Sequence, residues 1–209
     1  MVEDGTNVDS LMKQVASKKP DLLEIRLDRL HRRELIEEIA NRKLNPLIAT
    51  DRASRSARES LEQLSFAVSE GFDLVDLDLS VTDSTTVKRL KSEGAEIILS
   101  FHDYSQTPPR EELTRVLEAE KRLNGDICKI VTTACSPRDN LTILGFLESE
   151  APKVRLVSFA MGNGGVPSRV LSPLFGAEFT FASLAAHSGT AEGQLSIDAL
   201  RSAWQILGF

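Results

Sequence analysis

Asp126-Ile127-Cys128-Lys129-Ile130-Val131 reads as a short buried strand with one residue out of place. Ile127, Cys128, Ile130 and Val131 are apolar and mostly β-formers, and Asn124-Gly125 punctuates the chain just before them. A lysine inside such a run has two readings. It can sit with its stem buried and its head reaching solvent. Alternatively it is desolvated, and a desolvated lysine more readily becomes the free amine, a nucleophile that forms a Schiff base with a carbonyl.

Working outward, the chain repeats one alternation: a short apolar run, then a longer stretch with helical periodicity. The strand-like runs are Leu22–Leu27, Pro46–Thr50, Phe72–Leu79, Ile97–Phe101, the Lys129 run, Val154–Phe159 and Phe179–Phe181. Between them fall helical stripes such as Leu61, Leu64 and Val68, or Leu141, Leu144 and Leu147. Thr107-Pro108 and Ser136-Pro137 each place a cap residue before a proline at a helix start. Ser196 caps a last helix carrying Leu200, Trp204 and Leu207. Such alternation predicts a parallel sheet with helical crossovers. An eighth strand, ahead of the first helix, has only Met1-Val2-Glu3 available. The expected fold is therefore an α/β (β/α)8 TIM barrel, with a parallel eight-stranded sheet, a truncated first strand and a single domain over residues 1–209. An open doubly wound sheet is the alternative, weakened because no GxGxxG or GxxxxGK[ST] follows a strand.

Composition narrows the class. With 209 residues, 41% hydrophobic and 27% charged, the chain is long enough for one substantial core. A net charge of −6 argues against a general nucleic-acid binder. No run is long enough to span a membrane, and the N-terminus lacks a signal pattern, so a cytoplasmic protein is expected. Two cysteines, Cys128 and Cys135, form no metal-spaced cluster.

The unusual polar residues lie within strands or at their C-terminal ends, the active-site face of a barrel. They are Glu24, Arg26, Arg52, Asp76, Asp78, His102 and Lys129, then Met161 with its glycine loop, and later Arg169 and Gln194. Glu24 and Arg26 also fit a structural ion pair, and His102 a strand-end histidine bonded to backbone. Asp76 and Asp78 fit a role in orienting cationic neighbours. Gly162, Gly164, Gly165 and Ser168 precede Arg169, so that the loop offers N–H groups and Arg169 a fork to an anion. His31 and His187 read as exposed histidines.

These residues resemble the type I 3-dehydroquinate dehydratase family. The matching segments are Glu24-Ile-Arg26-Leu-Asp28, Ser100-Phe-His102-Asp103-Tyr104, Asp126-Ile-Cys-Lys129-Ile, Met161-Gly162 through Ser168-Arg169, Phe175-Gly176, Thr180-Phe181-Ala182 and Gly193-Gln194. The resemblance implies a Schiff-base barrel of the shikimate pathway. Lys129 would form an imine with the ring ketone of 3-dehydroquinate. His102 would remove the adjacent proton and then protonate the departing hydroxyl. Arg169 would hold the substrate carboxylate. Glu24, Arg26, Arg52 and Gln194 would position ring hydroxyls and charges, Met161 and Phe181 would pack on the ring, and Ser188 or Thr190 would supply a contacting hydroxyl. It implies no metal, no organic cofactor and a homodimer.

The sequence departs from the family pattern at three places. Ser56 stands where a glutamate commonly pairs with the catalytic histidine, leaving Glu59, Asp103 or a water to orient His102. The loop Ser188–Gly193 is longer than usual, and the first strand is nearly absent. Two other readings stay open: a class I aldolase-like barrel whose glycine loop holds the phosphate of a sugar, and a non-catalytic barrel that binds a carboxylate.

Overall fold

A computed structural model describes residues 5–30, 32–52, 56–185 and 192–209. The expected first strand at Met1–Glu3, and His31, His187, Ser188 and Thr190, lie outside the described residues. The chain divides into two compact units, Met1–Leu99 with Leu123–Gly125, and Ser100–Arg122 with Asp126–Phe209.

The first unit opens with α1, Val8–Lys18, whose N-cap Asn7 accepts a hydrogen bond from the Ser10 N–H at 2.9 Å. Then follow β1 (Leu23–Arg26), α2 (Arg33–Asn41), β2 (Leu47–Thr50), α3 (Ala57–Ser69), β3 (Leu74–Asp78) and α4 (Ser84–Ser92). β1, β2 and β3 pair in parallel, and their register sets Arg26 beside Thr50 and Thr50 beside Asp76. Ser56 caps α3 in a reciprocal capping box. Its Oγ accepts from the Glu59 N–H at 3.3 Å, and the Glu59 carboxylate accepts from the Ser56 N–H at 3.0 Å and the Ser56 hydroxyl at 2.8 Å.

β4, Glu96–His102, begins in the first unit and ends in the second. The second unit continues with α5 (Arg110–Arg122), β5 (Ile127–Thr133), α6 (Pro137–Glu150), β6 (Leu156–Met161), α7 (Val166–Leu171) and α8 (Ile197–Leu207). The six strands follow one another in chain order. β5 and β6 pair in parallel from Cys128–Leu156 to Thr133–Met161. Leu113 and Leu117 of α5, Cys128 and Ile130 of β5, Ile143, Phe146 and Leu147 of α6, and Leu156 and Ala160 of β6 make the core under the helices. Side chains alternate along a strand, so Lys129 and Val131 of β5 lie on the face opposite that core, with Val157, Phe159 and Met161 of β6 beside them.

Six expected strands are found; the seventh is not. Phe179–Phe181 runs without a ladder, tied to β6 by a Glu178 N–H bond to the Leu156 carbonyl at 2.9 Å. Pairing resumes only as a single parallel bridge between Ser183 and Ser196. The eight strands expected of the barrel are therefore six among the described residues. The Thr107-Pro108 start is also displaced. α5 begins at Arg110, while the Thr107 hydroxyl lies 2.8 Å from that of Thr132 and donates to the Thr133 carbonyl at 3.0 Å. Thr107 thus docks on β5 instead of capping. Ser136-Pro137 behaves as expected, with Asp139 completing a capping box. None of the described helices is long and apolar enough to cross a membrane.

The loop after β6 is packed against its own strand. A Cβ on Gly165 would lie 2.3 Å from the Ala160 carbonyl oxygen, backbone that has little room to give. Gly165→Ala should cost about 1–3 kcal/mol of stability, read as a lowered urea midpoint.

Candidate active site

Lys129 is 5% exposed, and its Nζ stands 4.2 Å over the centre of the Phe181 ring. The ammonium is attracted to the negative ring face, which fixes the tip of a long side chain. Phe181 is itself held, edge-on to Phe179 at 5.5 Å and tilted against Phe159 at 6.2 Å. His102 is the last residue of β4, and the N–H of the following Asp103 donates to the Val131 carbonyl at 2.9 Å, two residues beyond Lys129. The His102 imidazole stacks on Tyr104 at 5.8 Å, with 15° between the planes.

Arg169 is 2% exposed, in α7. Its Nε and Nη2 are buried and have no hydrogen-bond partner among the described residues. Burial pushes its pKa down to about 10, which still leaves it charged at neutral pH. Its backbone carbonyl accepts from the Ser172 hydroxyl at 3.2 Å and the Thr180 hydroxyl at 3.0 Å. The atoms left open form the edge that another arginine of this chain turns to a carboxylate: Arg26 donates from Nε and Nη2 to the two oxygens of Asp28, each at 2.7 Å.

The glycine loop is not the anion nest that its composition suggested. The Gly165 N–H donates to the Gly162 carbonyl at 3.0 Å, the Gly162 N–H to the Glu192 carbonyl at 3.3 Å, and the Ser168 N–H to the Asn140 side-chain oxygen at 3.0 Å. Asn140 also donates to the Gly164 carbonyl at 2.8 Å, and the Ser168 hydroxyl donates to the Gly165 carbonyl at 2.9 Å. The loop is a bracket that starts α7 in a fixed place. Gly193 closes on it at φ +74°, where an added Cβ would meet the Gly162 carbonyl oxygen at 2.3 Å. Gln194 therefore begins from a position pinned to the loop that follows Met161.

In the first unit the polar strand ends are engaged with one another. Arg52 donates from Nη2 to Asp76 at 2.6 Å and from Nη1 to Asp78 at 3.4 Å, so that both aspartates orient a cation. Glu24 accepts from the Thr50 hydroxyl at 2.8 Å. Burial raises the Asp28 pKa, but the fork from Arg26 outweighs it and holds the carboxyl below the usual range.

A sequence model described as type I 3-dehydroquinase matches residues 1–208. The chain belongs to the type I 3-dehydroquinase family. It is 31% identical to the 3-dehydroquinate dehydratase of Methanosarcina acetivorans, over 93% of this chain and 88% of that one. It is 35% identical to the 3-dehydroquinate dehydratase of Methanothermobacter thermautotrophicus, over 87% and 82%. The crystal structure of 3-dehydroquinate dehydratase from Geobacillus kaustophilus superposes with a TM-score of 0.88 at 28% identity, covering 99% of this chain and 88% of that one. The parallel α/β fold is thus that of a TIM-barrel-like family.

Two proposed supports for His102 are occupied by other duties. Glu59 closes the capping box at Ser56. Asp103 accepts from the Ser105 N–H at 2.8 Å, the Ser105 hydroxyl at 2.6 Å and the Gln106 N–H at 3.0 Å, bonds that outweigh its burial and hold its pKa low. Sequence reasoning gave no role to Phe159, Asn140 or Thr180. Phe159 was findable, since it lies two residues before Met161 and so on the same strand face.

Cys128 is pushed up to about 12, by burial first and then by the neighbouring Glu120 charge, whereas Cys135 is exposed. Iodoacetamide at pH 8 should label Cys135 and spare Cys128 until urea unfolds the chain, as read by peptide mass. The folded chain holds the Cys128 proton more tightly than the unfolded one. That contribution is whole below the ordinary thiol pKa of 9.0 and is lost as pH rises toward about 12. Urea midpoints should fall over that range, and less steeply in Cys128→Ala.

Proposed function

We propose that this chain eliminates water from 3-dehydroquinate to give 3-dehydroshikimate, through an imine on Lys129. The observation that carries the reading is the buried Arg169 edge, a built site for one carboxylate in the same unit as a buried lysine. Family membership supplies the reaction class.

In this reading the neutral Lys129 amine adds to the ring ketone, and the carbinolamine takes up a proton from solvent and loses water, forming an iminium. The iminium draws electrons from the adjacent C–H bond. His102 takes that proton, and the resulting enamine expels the hydroxyl two carbons from the iminium carbon, with His102 returning a proton to it. Water then releases the conjugated ketone and regenerates the lysine. Arg169 holds the carboxylate, and Phe181 and Met161 pack on the ring. Glu24, Arg26, Arg52 and Gln194 act in this reading as substrate-binding residues, and Ser188 or Thr190 as the contacting hydroxyl, on the family resemblance. A single catalytic domain over 1–209, a homodimer and a cytoplasmic setting belong to the same reading.

The aldolase-like alternative loses support from the glycine loop. A phosphate needs several free N–H donors, and those of Gly162, Gly165 and Ser168 are already bonded to Glu192, Gly162 and Asn140. A carboxylate-binding barrel without chemistry is separated by turnover.

Borohydride added with 3-dehydroquinate should leave a ligand-sized adduct on the peptide containing Lys129. Lys129→Ala should abolish both adduct and turnover, followed by the ultraviolet absorbance of the enoate product. Arg169→Ala should raise KM by about 100-fold, since two charge-assisted hydrogen bonds are removed. A well-folded protein with no adduct and no turnover would overturn the assignment.

A further inference from the structure

The Arg169 guanidinium has a second neighbour that the reading above leaves without a role. Its Cζ lies 4.3 Å over the centre of the Phe159 ring, and Phe159 is itself 3% exposed. Phe159 stands in β6 opposite Val131, on the same strand face as Met161. Its ring is braced by Phe181, tilted at 58° and 6.2 Å away, and Phe181 is braced in turn by Phe179.

An arginine side chain is long and rotatable, and recognition of a carboxylate requires one plane and one edge. The root of Arg169 is fixed by the two hydroxyls on its carbonyl. A ring face 4.3 Å from Cζ restrains the guanidinium without taking either edge donor. A hydrogen-bonding partner on Nε or Nη2 would instead occupy the donors that the carboxylate needs. An aromatic face is thus a support that orients the cation without competing with the ligand. The attraction also offsets part of the cost of burying the charge before substrate arrives.

We propose that Phe159 is a positioning residue for carboxylate recognition: its ring sets the plane of Arg169 so that the Nε–Nη2 edge faces the substrate carboxylate. This rests on the reading of Arg169 as the carboxylate anchor.

The test is a double-mutant cycle on KM and kcat for 3-dehydroquinate. Phe159→Leu and Phe159→Met keep an apolar side chain and remove the ring face. Each should raise KM about tenfold and change kcat by less than about threefold. In an Arg169→Ala background the same substitutions should change KM by less than about twofold, because nothing remains to be oriented. Equal KM losses in both backgrounds would make Phe159 mere packing and overturn the inference, as would an unchanged KM in the single variants. If Arg169→Ala alone leaves KM unaltered, it is the anchor reading that fails. Circular dichroism and a melting curve precede the kinetics. Phe159→Met, the closer match in length, carries the cycle if Phe159→Leu does not fold.

Discussion

A buried guanidinium with two donors unanswered among the described residues is the constraint around which the Arg169 site is arranged. Each unsatisfied buried donor costs about 1–3 kcal/mol, and more when it is charged. A fold tolerates that cost only where neighbouring structure gives the side chain no cheaper pose. Here Ser172 and Thr180 fix the Arg169 carbonyl, the Arg169 Cζ lies 4.3 Å over the Phe159 ring, and the Asn140–Ser168 pair fixes the start of α7. None of these groups reaches the Nε–Nη2 edge.

The other two arginines singled out from the sequence make the contrast. Arg26 has its fork filled by Asp28, and Arg52 lies between Asp76 and Asp78. Those pairs sit at strand ends within one parallel register, where Arg26, Thr50 and Asp76 stand side by side. Charges met by charges of opposite sign set local geometry and leave little net attraction for an incoming anion. Arg169 and Lys129 instead have aromatic faces close by, and an aromatic ring neutralises nothing. The Nε and Nη2 donors of Arg169, unpaired among the described residues, remain available to a substrate that brings its own negative group.

Much of this was legible in the sequence because strand periodicity and strand-end position carry chemical meaning. Six of the strands follow from short apolar runs bounded by turn residues, and Lys129 stands out because a lysine is rare in such a run. What escaped depends on contacts between segments far apart in the chain. Glu59 read as one substitute for the glutamate that Ser56 replaces, yet S-x-x-E before an apolar stripe is a capping box, and that is what Ser56 and Glu59 form. Phe179–Phe181 has strand composition but meets β6 at too few points to form a ladder. Asn140, in the first turn of α6, gives no hint that its amide brackets a glycine loop 24 residues on.

The glycine loop shows why composition alone misleads about anions. Gly162, Gly164 and Gly165 beside an arginine suggest a phosphate cradle, but glycine serves two purposes: it exposes N–H groups, and it permits close approach of backbone. The distances choose between them. Cβ atoms at Gly165 and Gly193 would lie 2.3 Å from carbonyl oxygens, so these glycines are there for space. The N–H groups of Gly162, Gly165 and Ser168 are already bonded, and in the proposed reading recognition of the anion passes to the side chain of Arg169. A planar two-donor edge matches the two oxygens of a carboxylate better than the tetrahedral face of a phosphate, which is bound best by several converging N–H groups. The loop that suggested an anion site thus gives up three of its N–H donors to protein acceptors, which favours the side-chain fork and a carboxylate substrate.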